Sequence, residues 1–403
     1  MSNNNSFTNT WQRARPVTKL ENMEIEELYK AYLVCRRHNR RSRDMSLFEM
    51  NLYGRLVSLC EAINSRSYVP TANYAFIHYR PKAREVFAAE PELKIIMAYL
   101  DMRVNALIDA KLSDRTFNNR IDKGTQAAIN RVIEDMGECP NGWIIKIDLK
   151  GYFPNIDQSK AYALIENLIL TECEEAEKDE LLYLARVACF CNPQERCEKR
   201  SQLIEWAVIP DYKSLFRKPF GIGGAIGFLF WQVMSNYYLA DIDKWILKSI
   251  SPHYVRFVDD MVIVTDNKEP ALVMIAELRR RLGDIGVTLH PDKYYCQHVT
   301  KGLEFLGYHI GRNGVHINRK IQERALRRAS QWHRRHYLEA MNSYLGILKS
   351  GSDRNILEAM MKRVPDRYIK DFKNWKINER RPRSLKSQKE YGTKHNYKKV
   401  HNS

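Results

Sequence analysis

Long apolar runs are missing from this sequence. No stretch approaches the roughly 18 consecutive apolar residues that a membrane-spanning helix needs, and the opening MSNNNSFTNTWQRARP lacks the apolar core of a secretory signal. A cytoplasmic protein with no membrane partner is therefore expected. Acidic charge is also in short supply: 48 Asp and Glu stand against 65 Lys and Arg, for a formal charge of +17 and an isoelectric point near 9.4. That excess calls for a polyanionic partner, with nucleic acid ahead of an anionic membrane surface. The eight cysteines, at 35, 60, 139, 173, 189, 191, 197 and 296, lack the even framework of a disulfide-built domain, so reduced thiols are expected. Cys189, Cys191 and Cys197 in CFCNPQERCEKR are close together, yet their spacing matches no familiar zinc knuckle and no histidine follows at a useful distance. Internal repeats are absent too.

What is there is globular. An apolar fraction of 44% with 22 tyrosines argues against global disorder, and 403 residues can bury a core shared by two or three subdomains. Residues 1–20 are polar and Asn-rich and are expected to be a disordered segment. MEIEELYKAYLVCRRHNRR and SLFEMNLYGRLVSLCEAINS then carry apolar residues at helical spacing, with arginines collected between them, a candidate site for structured RNA or a solvated helix face. YAFIHYRPKAREVFAA reads as two short strands about a turn at RPKA, and PELKIIMAYLDMRVNALIDAKL as a helix. GWIIKIDLKGYFPNID is a continuous apolar strand ending on Asp148, followed by one acidic helix over IENLILTECEEAEKDELLYLARVACF. The glycine-rich GIGGAIGFLFWQVMSNYYLADIDKWI reads as a loop opening a helix, and VMIAELRRRLGDIGVTLHPDK as helix, turn and strand. LEFLGYHIGRNGVHIN is a hairpin about RNG. From residue 319 the pattern is helical and basic, and residues 376–403 form a Lys/Arg-rich tail with little to bury, suited to contacting nucleic acid or to plain solvation.

HYVRFVDDMVIV, residues 253–264, raises the chemical question. Asp259 and Asp260 stand side by side between two strand-like runs, at or near the bend of a tight hairpin. Adjacent ionised carboxylates repel each other and resist desolvation, so a positive charge must compensate. Strand alternation puts Arg256 on the face of Tyr254 and Val258, away from Asp259. A divalent metal is the stronger answer if Asp148 reaches the same point, because three carboxylates from two strands can hold two Mg²⁺ ions for nucleotidyl transfer.

These residues resemble a known family. RFVDD between two strands resembles the Tyr-x-Asp-Asp hairpin of reverse transcriptases, with Phe257 at the tyrosine position, and IIKIDLKGYFPNID resembles the strand bearing their first catalytic aspartate. RPKAREVFAA, KGTQAAINRV, GGAIGFLFWQVMSNYYLADID, LHPDK and LEFLGYHI follow in the family's order, over roughly residues 30 to 350. The resemblance implies an α+β right-hand polymerase: fingers and palm over 21–318, an antiparallel sheet with flanking helices, then a helical thumb over 319–375 that tracks a duplex. In the thumb region Trp332 and Trp375 are candidates for base stacking or for core packing.

The resemblance further implies that Asp148, Asp259 and Asp260 hold two Mg²⁺ ions, with Mn²⁺ the alternative. Lys82 and Arg84 would hold the incoming triphosphate, Phe153 would be the steric gate that rejects a 2′-hydroxyl, and Lys293 would protonate pyrophosphate. Phe305, Leu306, Gly307 and Tyr308 would form the primer grip. Gln232 matches the glutamine of the IG...SQ element that typifies reverse transcriptases of diversity-generating retroelements and their relatives, and IPDYKSLF, residues 209–216, resembles the same branch. The polar residues usual before that glutamine are here Phe228, Leu229, Phe230 and Trp231, which leaves fidelity and template choice open. The implied activity is RNA-directed DNA synthesis: deoxynucleotides are joined into cDNA on a partner noncoding RNA. The expected setting is antiviral defence of the defence-associated Unknown Group kind. A diversity-generating retroelement is the alternative, and a catalytically silent RNA-binding protein on the same scaffold the second. An accessory protein, a second reverse transcriptase or a homo-oligomer is compatible with the sequence.

Overall fold

The computed structural model describes residues 23–40, 42–70, 73–79, 82–291, 293–312, 314–333, 337–349 and 353–369. The expected disordered start at 1–20, Trp375 and the basic tail at 376–403 lie outside the described residues. The chain divides into two compact units, one of Met1–Ser113, Lys150–Asp241 and Arg281–Thr288, the other of Asp114–Leu149, Ile242–Arg280 and Leu289–Ser403.

The first unit is built around the helix Pro91–Lys111. Proline opens it where a missing N–H costs nothing, and Leu93, Ile95, Ile96, Met97, Tyr99, Leu100, Val104 and Ile108 are buried around much of its circumference, as a central helix requires. Ile25–Asn39, Glu175–Cys189 and Leu229–Tyr237 pack against it, and Tyr99 donates to the buried Glu180 at 2.8 Å. The two strands about RPKA form as expected, Asn73–His78 antiparallel to Arg84–Ala88, but a third strand the sequence did not announce, Cys197–Lys199, joins the first in parallel. Two expected helices are each broken in two. The acidic helix becomes Gln158–Glu172 and Glu175–Cys189, because Cys173 leaves helical geometry (φ −91°, ψ 158°) and lets the second half fold back on the first. SLFEMNLYGRLVSLCEAINS likewise divides into Arg43–Glu49 and Leu52–Asn64 at Asn51.

The second unit holds a four-stranded antiparallel sheet in the order Tyr254–Phe257, Asp260–Thr265, Trp143–Asp148, Tyr295–His298. A second sheet, Leu303–Phe305, Tyr308–Gly311 and Gly314–Ile317, is an antiparallel meander. The expected hairpin about RNG is there, and a second tight turn precedes it at Leu306 and Gly307, whose φ of 50° and 89° match a type I′ connection. The basic region after 319 is helical: Arg319–Ala329, Tyr337–Lys349, Arg354–Met361 and Asp366–Ile369. Its buried residues, among them Ala325, Met341, Leu345 and Met360, share one core with Ile144, Val262, Phe305 and Ile310 of the two sheets. All eight cysteines are free thiols.

Candidate active site

In the second unit the central strand and the hairpin bring carboxylates together. Asp148 and Asp260 are direct partners in the antiparallel register, and directly opposed residues share a face of the sheet. Asp260 opens the return strand, and Asp259 is the second residue of the two-residue turn that joins it to Phe257. Lys293 Nζ donates to Asp148 Oδ2, so the lysine of LHPDK meets the first aspartate. Lys146, which was not among the sequence candidates, stands two residues before Asp148 and hence on the same face. Its Nζ lies 3.6 Å from Asp260 Oδ1 and donates to the Glu304 carbonyl at 2.8 Å. The period of two along that strand was the available signal. Burial pushes Asp260 above the ordinary aspartate range and Asp148 adds to the shift, while Lys146 and Lys293 pull it back.

Among the described residues no group of three or more His, Cys, Asp or Glu side chains forms a metal cage by itself, and this includes the Cys189, Cys191 and Cys197 group. The donor set nevertheless fits Mg²⁺. Asp148 and Asp260 offer hard oxygens on one face, and Mg²⁺ is commonly held by one or two carboxylates with waters and substrate phosphates completing its shell. Phe305 and Tyr308 are buried and flank the Leu306–Gly307 turn. Lys146 stands over the Phe305 ring at 6.0 Å, and the Tyr308 hydroxyl donates to Ile347 O at 3.1 Å.

The first unit carries the other candidates. Lys82 and Arg84 are exposed, the first just before the strand Arg84–Ala88 and the second at its start. The next residue, Glu85, points inward and accepts from the Ser214 hydroxyl at 2.6 Å and the Leu215 N–H at 2.7 Å, tying this strand to IPDYKSLF. The glycine-rich loop runs alongside: Phe87 N–H donates to Ile226 O at 2.8 Å. At Gly227 (φ 109°) an added Cβ would sit 2.2 Å from Phe87 O, so glycine is required for this approach. The same loop reaches Phe153, whose carbonyl accepts from Gly224 N–H at 2.8 Å. Phe153 is partly exposed, and its ring meets that of Tyr152 edge-on at 5.8 Å. Gln232 is partly buried in the helix Leu229–Tyr237. The apolar residues before it are mostly core: Phe228 and Trp231 are fully buried, Phe230 is 6% exposed, and the Trp231 ring lies where a Cβ on Gly224 would come within 2.6 Å. The apolar departure is therefore chiefly a packing change between this helix and the glycine loop.

A family model described as "Reverse transcriptase (RNA-dependent DNA polymerase)" matches residues 82–310, more than half of the chain. No curated protein matches the sequence. Solved structures similar to the chain include telomerase from Candida albicans in complex with a fragment of telomeric RNA, at 13% identity, 81% of this chain and a TM-score of 0.44. They also include apo telomerase from Candida tropicalis, at 13% identity, 76% of this chain and a TM-score of 0.47. The C-terminally truncated form of the latter is similar at 11% identity, 60% of this chain and a TM-score of 0.44. The chain spans 53% to 63% of the length of these telomerase chains.

Proposed function

Because the chain belongs to the reverse transcriptase family, we propose that it is an RNA-directed DNA polymerase that copies a partner noncoding RNA into cDNA. The observation that carries this reading is the pairing of Asp148 with Asp260 across two strands, with Asp259 in the adjoining turn. Two carboxylates opposed on one face, with a third residue of the same kind in the adjoining turn, suit a cation far better than they suit each other. The family uses divalent metal ions, and in this reading Asp148, Asp259 and Asp260 hold two Mg²⁺. Bound there, the metal would supply the positive charge that lowers the pKa of a primer 3′-hydroxyl and stabilises the leaving pyrophosphate.

The chain's own residues do the rest. Lys82 and Arg84 are exposed cations suited to the triphosphate of the incoming nucleotide. Lys293 is in reach of the aspartate cluster and can give a proton to the leaving pyrophosphate. Phe153, partly exposed next to the glycine loop, rejects a 2′-hydroxyl by bulk, which directs synthesis to DNA; Gln232 faces nucleotide and template base in the same reading. Phe305 to Tyr308 grip the primer end. Antiviral defence is the setting we propose, supported by the apolar Phe228–Trp231 replacement.

The test is to purify the protein from its host with bound nucleic acid and to sequence RNA and cDNA, comparing wild type with Asp259→Asn/Asp260→Asn. One co-purifying noncoding RNA, with cDNA of it in the wild type alone, is the expected result. The cDNA sequence then separates defence from diversification. RNA binding without DNA in either protein, even during phage challenge, would overturn the reading in favour of a silent scaffold.

A further inference from the structure

The hairpin carrying Asp259 and Asp260 turns through a residue ill suited to it. Phe257 pairs with Asp260 across two residues, and Val258 takes φ 60° while Asp259 keeps a negative φ. This is the pattern of a type II′ turn, whose first central position ordinarily takes glycine. A β-branched side chain is strained there, and such a conformation persists only where its surroundings over-determine it.

Those surroundings can be named. The Val258 N–H donates to Asn118 Oδ1 at 2.9 Å and the Val258 carbonyl accepts from Arg256 Nη1 at 3.2 Å. Both partners are buried, Asn118 at 2% and Arg256 at 0% exposure. Asn118 follows a segment that lies along the edge of Tyr254–Phe257, where Arg256 N–H donates to Arg115 O at 2.9 Å and Phe117 N–H donates to Arg256 O at 3.0 Å. The Arg256 guanidinium is held in turn by Asp243, with Nε donating at 2.8 and 3.0 Å and Nη2 at 2.6 Å. Asp243 is itself fully buried and accepts from the hydroxyls of Thr116 at 2.9 Å and Tyr254 at 2.8 Å. Arg256 pairs with Met261, so its side chain lies on the face opposite Asp260 and does not neutralise the catalytic carboxylates. A wholly buried ion pair is a poor source of net stability, and specifying geometry is its better-attested use.

We propose that Asn118 and Arg256 are positioning residues that hold Val258 in its left-handed conformation and so keep the hairpin aspartates set against Asp148. The inference rests on the polymerase reading for its catalytic consequence, but not for its structural content. The brace grips backbone, so its effect should vanish once residue 258 no longer needs to be held.

The experiment uses the full chain and two readouts: Mn²⁺ binding followed by electron paramagnetic resonance, and primer extension on an RNA template. Asn118→Ala is expected to weaken Mn²⁺ binding roughly tenfold, the scale of strain a residue of this kind stores, and to lower kcat with little change in the KM for primer–template. Adding Val258→Gly, which reaches φ 60° without strain, is expected to return Mn²⁺ affinity to within about threefold of wild type, a recovery that a merely structural role for Asn118 would not produce. Unchanged Mn²⁺ binding in Asn118→Ala, or a loss that Val258→Gly leaves in place, overturns the brace. If Asn118→Ala fails to fold by circular dichroism, the double variant decides: a folded, Mn²⁺-binding protein supports the brace, and an unfolded one overturns it. A wild type that binds Mn²⁺ and shows the rescue yet makes no cDNA overturns the polymerase reading and leaves the brace standing.

Discussion

Asp260 sits where burial works against its charge. Its folded pKa is raised, so the folded protein keeps a proton at pH values where the unfolded chain has lost it. Metal-free protein therefore loses stability as pH rises from about 4, the ordinary aspartate value, through the raised folded value. Asp260→Asn is therefore expected to abolish polymerisation yet make the metal-free protein more stable than wild type near neutral pH. Thermal unfolding in EDTA across pH checks this, and a variant less stable than wild type at neutral pH would contradict it. Arg256 behaves oppositely. Removing it strands Asp243, so Arg256→Met alone should cost about 3–5 kcal/mol, while Arg256→Met with Asp243→Leu should recover much of the loss. Denaturant titration of the three variants measures both numbers. Phe153→Ala should relax discrimination against ribonucleotides, read as the ratio of kcat/KM for dNTP and rNTP.

The elements show how local pattern and packing share control. The two strands about RPKA, the strand ending on Asp148 and the helix Pro91–Lys111 were legible, because each has a continuous apolar run or period bounded by a proline or a turn. The breaks at Asn51 and Cys173 were not, since neither carries a proline or glycine; they show only in the packing, where Glu175–Cys189 lies against both Gln158–Glu172 and Pro91–Lys111, and Leu52–Asn64 lies against Ile25–Asn39. Cys197–Lys199 escaped detection for a related reason, being three residues of mixed character whose pairing with Asn73–Ala75 is non-local. The helix after the glycine loop makes a testable case. Trp231 replaces a polar residue of the resembling family but is fully buried against Gly224. Trp231→Ala should cost about 3–5 kcal/mol in a chemical-denaturation measurement. An effect on fidelity without loss of stability would show that the ring acts on template or nucleotide instead.

For the whole molecule the excess of cations is the dominant property. A charge of +17 predicts that RNA binding weakens steeply with salt. If some six or more phosphates are contacted, affinity should fall about 10³-fold between roughly 50 and 200 mM salt, with a linear log–log slope. A flat dependence in a filter-binding series would remove phosphate tracking as the account of the charge.

Composition, spacing and the order of motifs were enough for the α+β class, and they singled out a polyanionic partner and Asp148, Asp259 and Asp260 as candidates, because charge, apolar period and a carboxylate at a strand end are local facts. Which carboxylate faces which was decided by register: Asp148 opposes Asp260 because two strands far apart in sequence pair in that alignment. The same non-local packing set Lys146 beside Asp260, supplied Asp243 as the partner of Arg256, and ran residues 115–118 along the hairpin edge. A left-handed valine could not be read from sequence at all, since local preference argues against it and tertiary hydrogen bonds hold it in place.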